Sequence, residues 1–161
     1  MKLSTRGRYA VMAMVDLAQN SGDRPVSLSD IADRQGISLS YLEQLFSRLR
    51  REELVRSIRG PGGGYHLGRE ANEISISNII LSVDEPLTAM GCDHKEDDDE
   101  GCTGTGRCVT HRLWHELTRR IHAWLNEVTL ADVCADNFDH DESARCSSAA
   151  DVVNRMYEIQ L

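Results

Sequence analysis

Gly60-Pro61-Gly62-Gly63-Gly64 interrupts this chain with five residues that neither a helix nor the interior of a sheet accepts. Proline fixes its own φ and donates no hydrogen bond, and glycine loses the most freedom when held in a regular element. The run therefore reverses the chain. Before it, Val55-Arg56-Ser57-Ile58-Arg59 alternates apolar and polar residues as a half-buried strand does; after it, Tyr65-His66-Leu67 can return as a second strand. The run is no nucleotide loop, because it lacks the Gly-Lys-Ser/Thr ending and opens no helix. A β-hairpin is expected, and a plain surface hairpin would share its pattern.

Three helical patterns precede the hairpin. Residues 6–19 carry Tyr9, Ala10, Ala13, Met14, Leu17 and Ala18 at helical spacing, and Asn20-Ser21-Gly22-Asp23 ends them in turn chemistry. Ser27 is placed to cap a short helix, with Asp30 in capping-box position and Gly36 as the residue that stops it. Ser38 then offers a new cap, and Leu39, Leu42, Leu45, Phe46 and Leu49 mark the buried stripe of a third helix. Two helices joined by a tight glycine turn make a helix-turn-helix signature, whose geometry an ordinary helical hairpin shares. A hairpin directly after the second helix makes a wing. The predicted class is mainly α with a small β-hairpin: a winged helix-turn-helix unit plus a long helix suited to dimerisation.

On that reading the residues off the stripe become candidates for contact with duplex DNA. Ser38, Ser40 and Tyr41 near the helix start can meet phosphate oxygens or base edges. Gln44 can bond adenine, and Glu43 can accept from a cytosine amino group while repelling a badly placed phosphate. Arg59 stands at the edge of a wing tip that includes Pro61 and Gly62, where an arginine can enter a narrow minor groove. The charge distribution agrees. The net charge is −8, but residues 1–70 hold eleven Lys/Arg against eight Asp/Glu, whereas residues 71–161 hold seven against eighteen. The first part can approach phosphate while the second stays away from it.

Downstream, Cys92, Cys102, Cys108 and His111 gather three thiols and an imidazole within twenty residues, interleaved with Gly91, Gly101, Gly104 and Gly106. Such a loop can surround one soft metal centre. Spacing alone leaves an iron–sulfur cluster and a structural zinc both open, since neither gap has the short zinc-finger form. His115 is a further imidazole on the same helix face as His111. The acidic stretch Glu96-Asp97-Asp98-Asp99-Glu100 reads as a solvated insertion. No constellation for nucleophilic catalysis is found, and no enzyme is expected.

Other segments complete the chain. Ser75 is placed to cap a helix with Ile76, Ile79, Ile80 and Val83; residues 109–128 carry the longest helical pattern, with Leu113, Trp114, Leu117, Ile121, Trp124, Leu125 and Val128. That stripe exceeds what a small winged unit needs to cover, so it is expected on residues 6–19 or, preferably, on a second copy in a two-fold dimer. Thr129 and Asp132 repeat the capping-box spacing for a last short helix. The expected organisation is a DNA-binding unit over 1–70, a metal loop with dimerisation helices over 71–134, and a disordered tail over 135–161. No apolar run reaches the roughly 18 residues of a membrane span, and Met1–Arg6 lacks secretory-signal features, so the cytoplasm is expected. There, five cysteines read as ligands or free thiols, with Cys134 half-buried and Cys146 in the tail.

Gly7-Arg8-Tyr9-Ala10-Val11, Arg34-Gln35-Gly36-Ile37-Ser38-Leu39-Ser40-Tyr41-Leu42-Glu43-Gln44-Leu45-Phe46 and Arg59-Gly60-Pro61-Gly62-Gly63-Gly64-Tyr65 match as unbroken runs, and Cys108-Val109-Thr110-His111 is followed by Leu113-Trp114. Over residues 1–134 the chain resembles the iron–sulfur-cluster regulators of the winged helix-turn-helix transcription-factor family. The resemblance implies a homodimer on promoter DNA, with a 2Fe–2S cluster held at positions matching Cys92, Cys102, Cys108 and His111. It also implies control of cluster-assembly genes, with the assembly machinery as cluster donor and cluster occupancy tuning DNA specificity. One departure stands out: nine residues separate Cys92 from Cys102, where the family pattern has five, as between Cys102 and Cys108. Competing readings are a winged-helix repressor sensing redox state or nitric oxide through thiols, a version with structural zinc, and a metal-stabilised protein-interaction module.

Overall fold

Ala10, Ala13, Met14 and Leu17 share one helical face and are all fully buried, so the first helix, α1 (Thr5–Asn20), runs through the core. The computed structural model describes residues 5–22, 24–83 and 109–137. Next, α2 (Leu28–Gln35) starts where the Ser27 hydroxyl accepts from the Asp30 N–H at 3.1 Å, and stops at Gly36 with φ 63°. Both signals were predicted from local chemistry. Two residues later α3 (Leu39–Arg51) begins after Ser38, whose side chain makes no capping bond.

Leu42, Leu45, Phe46 and Leu49 of α3 are buried as predicted, but Leu39, expected in the same stripe, is 43% exposed. The reason is its place at the first residue of the helix. Helical side chains lean toward the N-terminus, so at this end Leu39 leans past the turn that would cover it. The other end of α3 carries no glycine. Glu53 adopts φ 57° there, and Leu54 closes the turn through its N–H to Leu49 O at 2.9 Å.

The wing consists of β1 (Val55–Ile58) and β2 (Gly64–Leu67), antiparallel, with Val55 opposite Leu67 and Ser57 opposite Tyr65. The predicted hairpin is thus present, although Gly64 belongs to the second strand rather than to the turn. The strand is tight there: a Cβ on Gly64 would lie 2.3 Å from the Val26 carbonyl oxygen. Val26 is a third, one-residue strand that the pattern did not reveal. It exchanges two backbone hydrogen bonds with Tyr65, at 3.0 and 2.8 Å, and docks the wing against the segment between α1 and α2.

A 3-10 turn (Ala71–Glu73) leads to α4 (Ile76–Ser82), and α5 (His111–Glu127) and α6 (Leu130–Cys134) follow. Reciprocal capping boxes start α4 (Ser75 with Asn78) and α6 (Thr129 with Asp132). A bridge between Ser75 and Thr129 holds these two helix starts together, flanked by Ile76 N–H to Val128 O at 2.9 Å and Leu130 N–H to Ile74 O at 2.8 Å. It seats Ile74, Ile76, Ile79, Ile80, Val83, Val128 and Leu130 in the same core as the buried face of α1. One hydrophobic core therefore runs across residue 70. The helix predicted over 109–128 spans 111–127, because Val128 leaves it to join the bridge.

No residue of α5 is buried, and Leu113, Leu117 and Trp124 are 59%, 39% and 43% exposed. The helix packs on α4, and its Leu125 is partly buried against the core. Among the described residues no helix is long and apolar enough to cross a membrane. Cys92, Cys102, Cys108, Cys146, the acidic stretch 96–100 and the tail beyond 137 lie outside the described residues.

Candidate nucleic-acid interface

A buried carboxylate sets the angle between the first two helices. Asp16 on α1 is 3% exposed and accepts from Arg34 Nε (3.1 and 3.0 Å), Arg34 Nη2 (2.6 Å) and Gln35 Nε2 (2.7 Å), all at the end of α2. Asn20 Nδ2 also donates to the Asp16 carbonyl at 2.8 Å. Burial pushes the Asp16 carboxyl up, but hydrogen bonds from Arg34 and Gln35 and the Arg34 charge outweigh it, and the net shift is downward. The last turn of α2 is pinned just before Gly36, so the direction in which α3 leaves the turn is pinned too.

With Leu42, Leu45, Phe46 and Leu49 turned inward, the other side of α3 is left to solvent. Ser38, Ser40, Glu43 and Gln44 are all exposed. Tyr41 differs from them. It is half-buried and meets the Tyr9 ring edge-on at 6.0 Å and 83°, which ties it to α1. Ser38 spends no side-chain oxygen on capping, although its carbonyl accepts from Tyr41 and Leu42 N–H groups at 3.1 Å. Sequence reasoning missed Leu39 on this surface; its apolar character alone assigned it to the core.

The wing is locked to this helix by an aromatic contact. Phe46 of α3 and Tyr65 of β2 meet at 4.9 Å and 68°. Arg69, just past the wing, donates to the Glu52 carbonyl at the end of α3 at 3.1 Å. Arg59, Pro61 and Gly62 lie exposed at the wing tip, where Gly63 N–H closes the turn on Gly60 O at 2.9 Å. Gly60 adopts φ 113°, a conformation that side chains resist. The structure thus presents two exposed sets, one on the first turns of α3 and one at the wing tip, on elements packed against each other.

The remaining predicted site residue, His111, opens α5 and is half-exposed. Its ring lies parallel to that of His115, with centroids 6.4 Å apart and planes at 17°. Among the described residues no group of three or more His, Cys, Asp or Glu is arranged to hold a metal. The three cysteines that would complete the set with His111 fall outside those residues. The donor chemistry fits a soft centre: thiolates hold iron–sulfur clusters, and imidazole can replace thiolate on one iron. Cys134, also considered from the sequence, is half-buried on α6, and burial pushes its thiol pKa up. It is a poor nucleophile there.

Comparison with known proteins gives a consistent result. A family profile described as Rrf2, iron-dependent transcriptional regulator, matches residues 3–136. The HTH-type transcriptional regulator IscR of Photobacterium profundum is 54% identical over 145 residues, covering 90% of this chain and 82% of that protein. Among solved structures, T. potens IscR shares 40% identity with a TM-score of 0.66, covering 91% of this chain and 93% of the other. CymR (YrzC), the global cysteine regulator of B. subtilis, shares 35% identity with a TM-score of 0.69, covering 85% and 98%.

Proposed function

The chain belongs to the Rrf2 family of transcriptional regulators, and from that premise we propose that it binds promoter DNA as a cytoplasmic homodimer whose sequence preference is tuned by a 2Fe–2S cluster. Its relatives are named transcriptional regulators, a class of DNA-binding proteins rather than enzymes. The observation that carries the finer reading is the set of exposed polar residues on the first turns of α3, Ser38, Ser40, Glu43 and Gln44, on a helix packed against the wing whose tip bears Arg59. On this reading α3 enters the major groove, Glu43 and Gln44 read base edges, and Arg59 enters the adjacent minor groove with Pro61 and Gly62. Residues 1–70 do the reading; residues 71–134 sense and dimerise.

Dimerisation is supported by α5, where Leu113, Leu117 and Trp124 leave an apolar stripe uncovered. A second copy placed on it gives two recognition helices for two half-sites. Cys92, Cys102, Cys108 and His111 would hold the cluster, which when bound supplies a one-electron couple at a potential raised by the imidazole. Of these, His111 starts the helix that carries the apolar stripe, so ligation of its imidazole can bias the dimer seam. A tenfold change in DNA preference needs only about 1.4 kcal/mol of such coupling. The genes under control would be those of cluster assembly, with the assembly machinery as donor.

The test is the visible absorption spectrum of anaerobically purified protein, with iron, sulfide and zinc counted per chain. Cys92→Ala, Cys102→Ala and Cys108→Ala should each remove the chromophore yet leave measurable DNA binding. Colourless protein with one zinc per chain, unfolded by all three substitutions, would replace the cluster with structural zinc.

A further inference from the structure

A lone exposed leucine is ordinary on a protein surface, but the neighbours of Leu39 make this one informative. It occupies the first residue of α3, between Ser38 and Ser40, both exposed, and one turn ahead of Glu43, also exposed. It stays 43% exposed while the rest of its stripe is buried. Ile37 and Leu42, the positions that staple a helix start through apolar contact, are already buried in the core. Leu39 therefore serves neither the core nor the staple. In a helix-turn-helix the N-terminal residues of the second helix are those that approach base edges.

We propose that Leu39 is a specificity residue that packs against the 5-methyl group of a thymine in the major groove; this rests on the reading of α3 as the recognition helix. Thymine alone presents a methyl group there, and cytosine, the other pyrimidine, presents an amino donor instead. A leucine can satisfy the first and leaves the second without a partner. Polar neighbours cannot make that distinction by packing. Leu39 and Glu43 lie four residues apart on one face, so the helix would carry an apolar reader and an acceptor side by side.

The experiment removes one methyl at a time. A preferred duplex is selected from random sequences with the full-length protein, and each thymine is then replaced by deoxyuridine. Affinities are measured for wild type, Leu39→Ala and Leu39→Gln; the last keeps length but not apolarity. At one position per half-site, deoxyuridine should weaken wild type about fourfold, the value of one buried methyl, and leave both variants unchanged. Thermal melting of both variants should stay close to wild type, because Leu39 lies outside the core. The proposal is overturned if every thymine costs all three proteins the same factor. It is also overturned if the variants lose equal affinity for the selected and a scrambled duplex. Failure to select any preferred duplex would overturn the reading of α3 together with it.

Discussion

With 3% of its surface exposed, Asp16 would be a costly charge to bury were it not paired by a fork from Arg34 and a bond from Gln35. The Arg34 side chain is 39% exposed, so solvent screens part of the attraction and compensates part of any loss. Asp16→Asn should lower unfolding free energy by about 1.5–3 kcal/mol, toward the lower end, as read from denaturant titration. The pH dependence has a definite sign. The folded carboxyl titrates below its unfolded value, so its contribution is complete above roughly pH 4 and is lost as pH falls through the lower folded pKa. The gap between wild type and Asp16→Asn should therefore narrow in acid. Glu53 poses the opposite case: a side chain held at φ 57° where glycine would be unstrained. Glu53→Gly should raise stability by about 1 kcal/mol, visible as an upward shift in Tm.

Among the elements, α5 has the least settled environment within one chain. An apolar face with Leu113, Leu117 and Trp124 all more than a third exposed is ill-suited to solvent and well suited to a second helix. Beside it, Glu116 accepts from Arg119 and Arg120 at 2.8–2.9 Å, and these bonds hold its carboxyl down to about 2. That cluster keeps the polar edge of the helix charged across the physiological range. Leu117→Glu should place a charge in the seam, giving a monomer by analytical ultracentrifugation with helix content unchanged by circular dichroism. A dimer of unaltered affinity would show that copies meet elsewhere. The wing is the contrasting element. Through Tyr65 it is held twice, by the ring of Phe46 on α3 and by the Val26 bridge, so it should move as one body with α3.

At the scale of the molecule, the excess of basic residues in 1–70 and of acidic residues in 71–161 divides the sequence into a part that attracts phosphate and a part that repels it. DNA affinity should fall steeply with salt, and Arg59→Ala should reduce the slope of log K against log salt by about one while relaxing preference for narrow A·T-rich flanks. An unchanged slope would remove Arg59 from the phosphate-rich groove. Much of this architecture was legible beforehand. Ser27 with Asp30, Gly36, Thr129 with Asp132 and the glycine run announce their elements because caps and turns act within a few residues of chain. The polar face of α3 was equally legible, as the complement of its buried stripe. Four features were not: Val26 joining the wing, Ser75 meeting Thr129, the left-handed Glu53 and the exposure of Leu39. Each depends on which distant segments pack together, and hydropathy along a chain carries no record of that. A leucine at a helix start follows the same periodicity whether a neighbouring helix covers it or stops one turn short, and here the packing of α1 and α2 leaves it open.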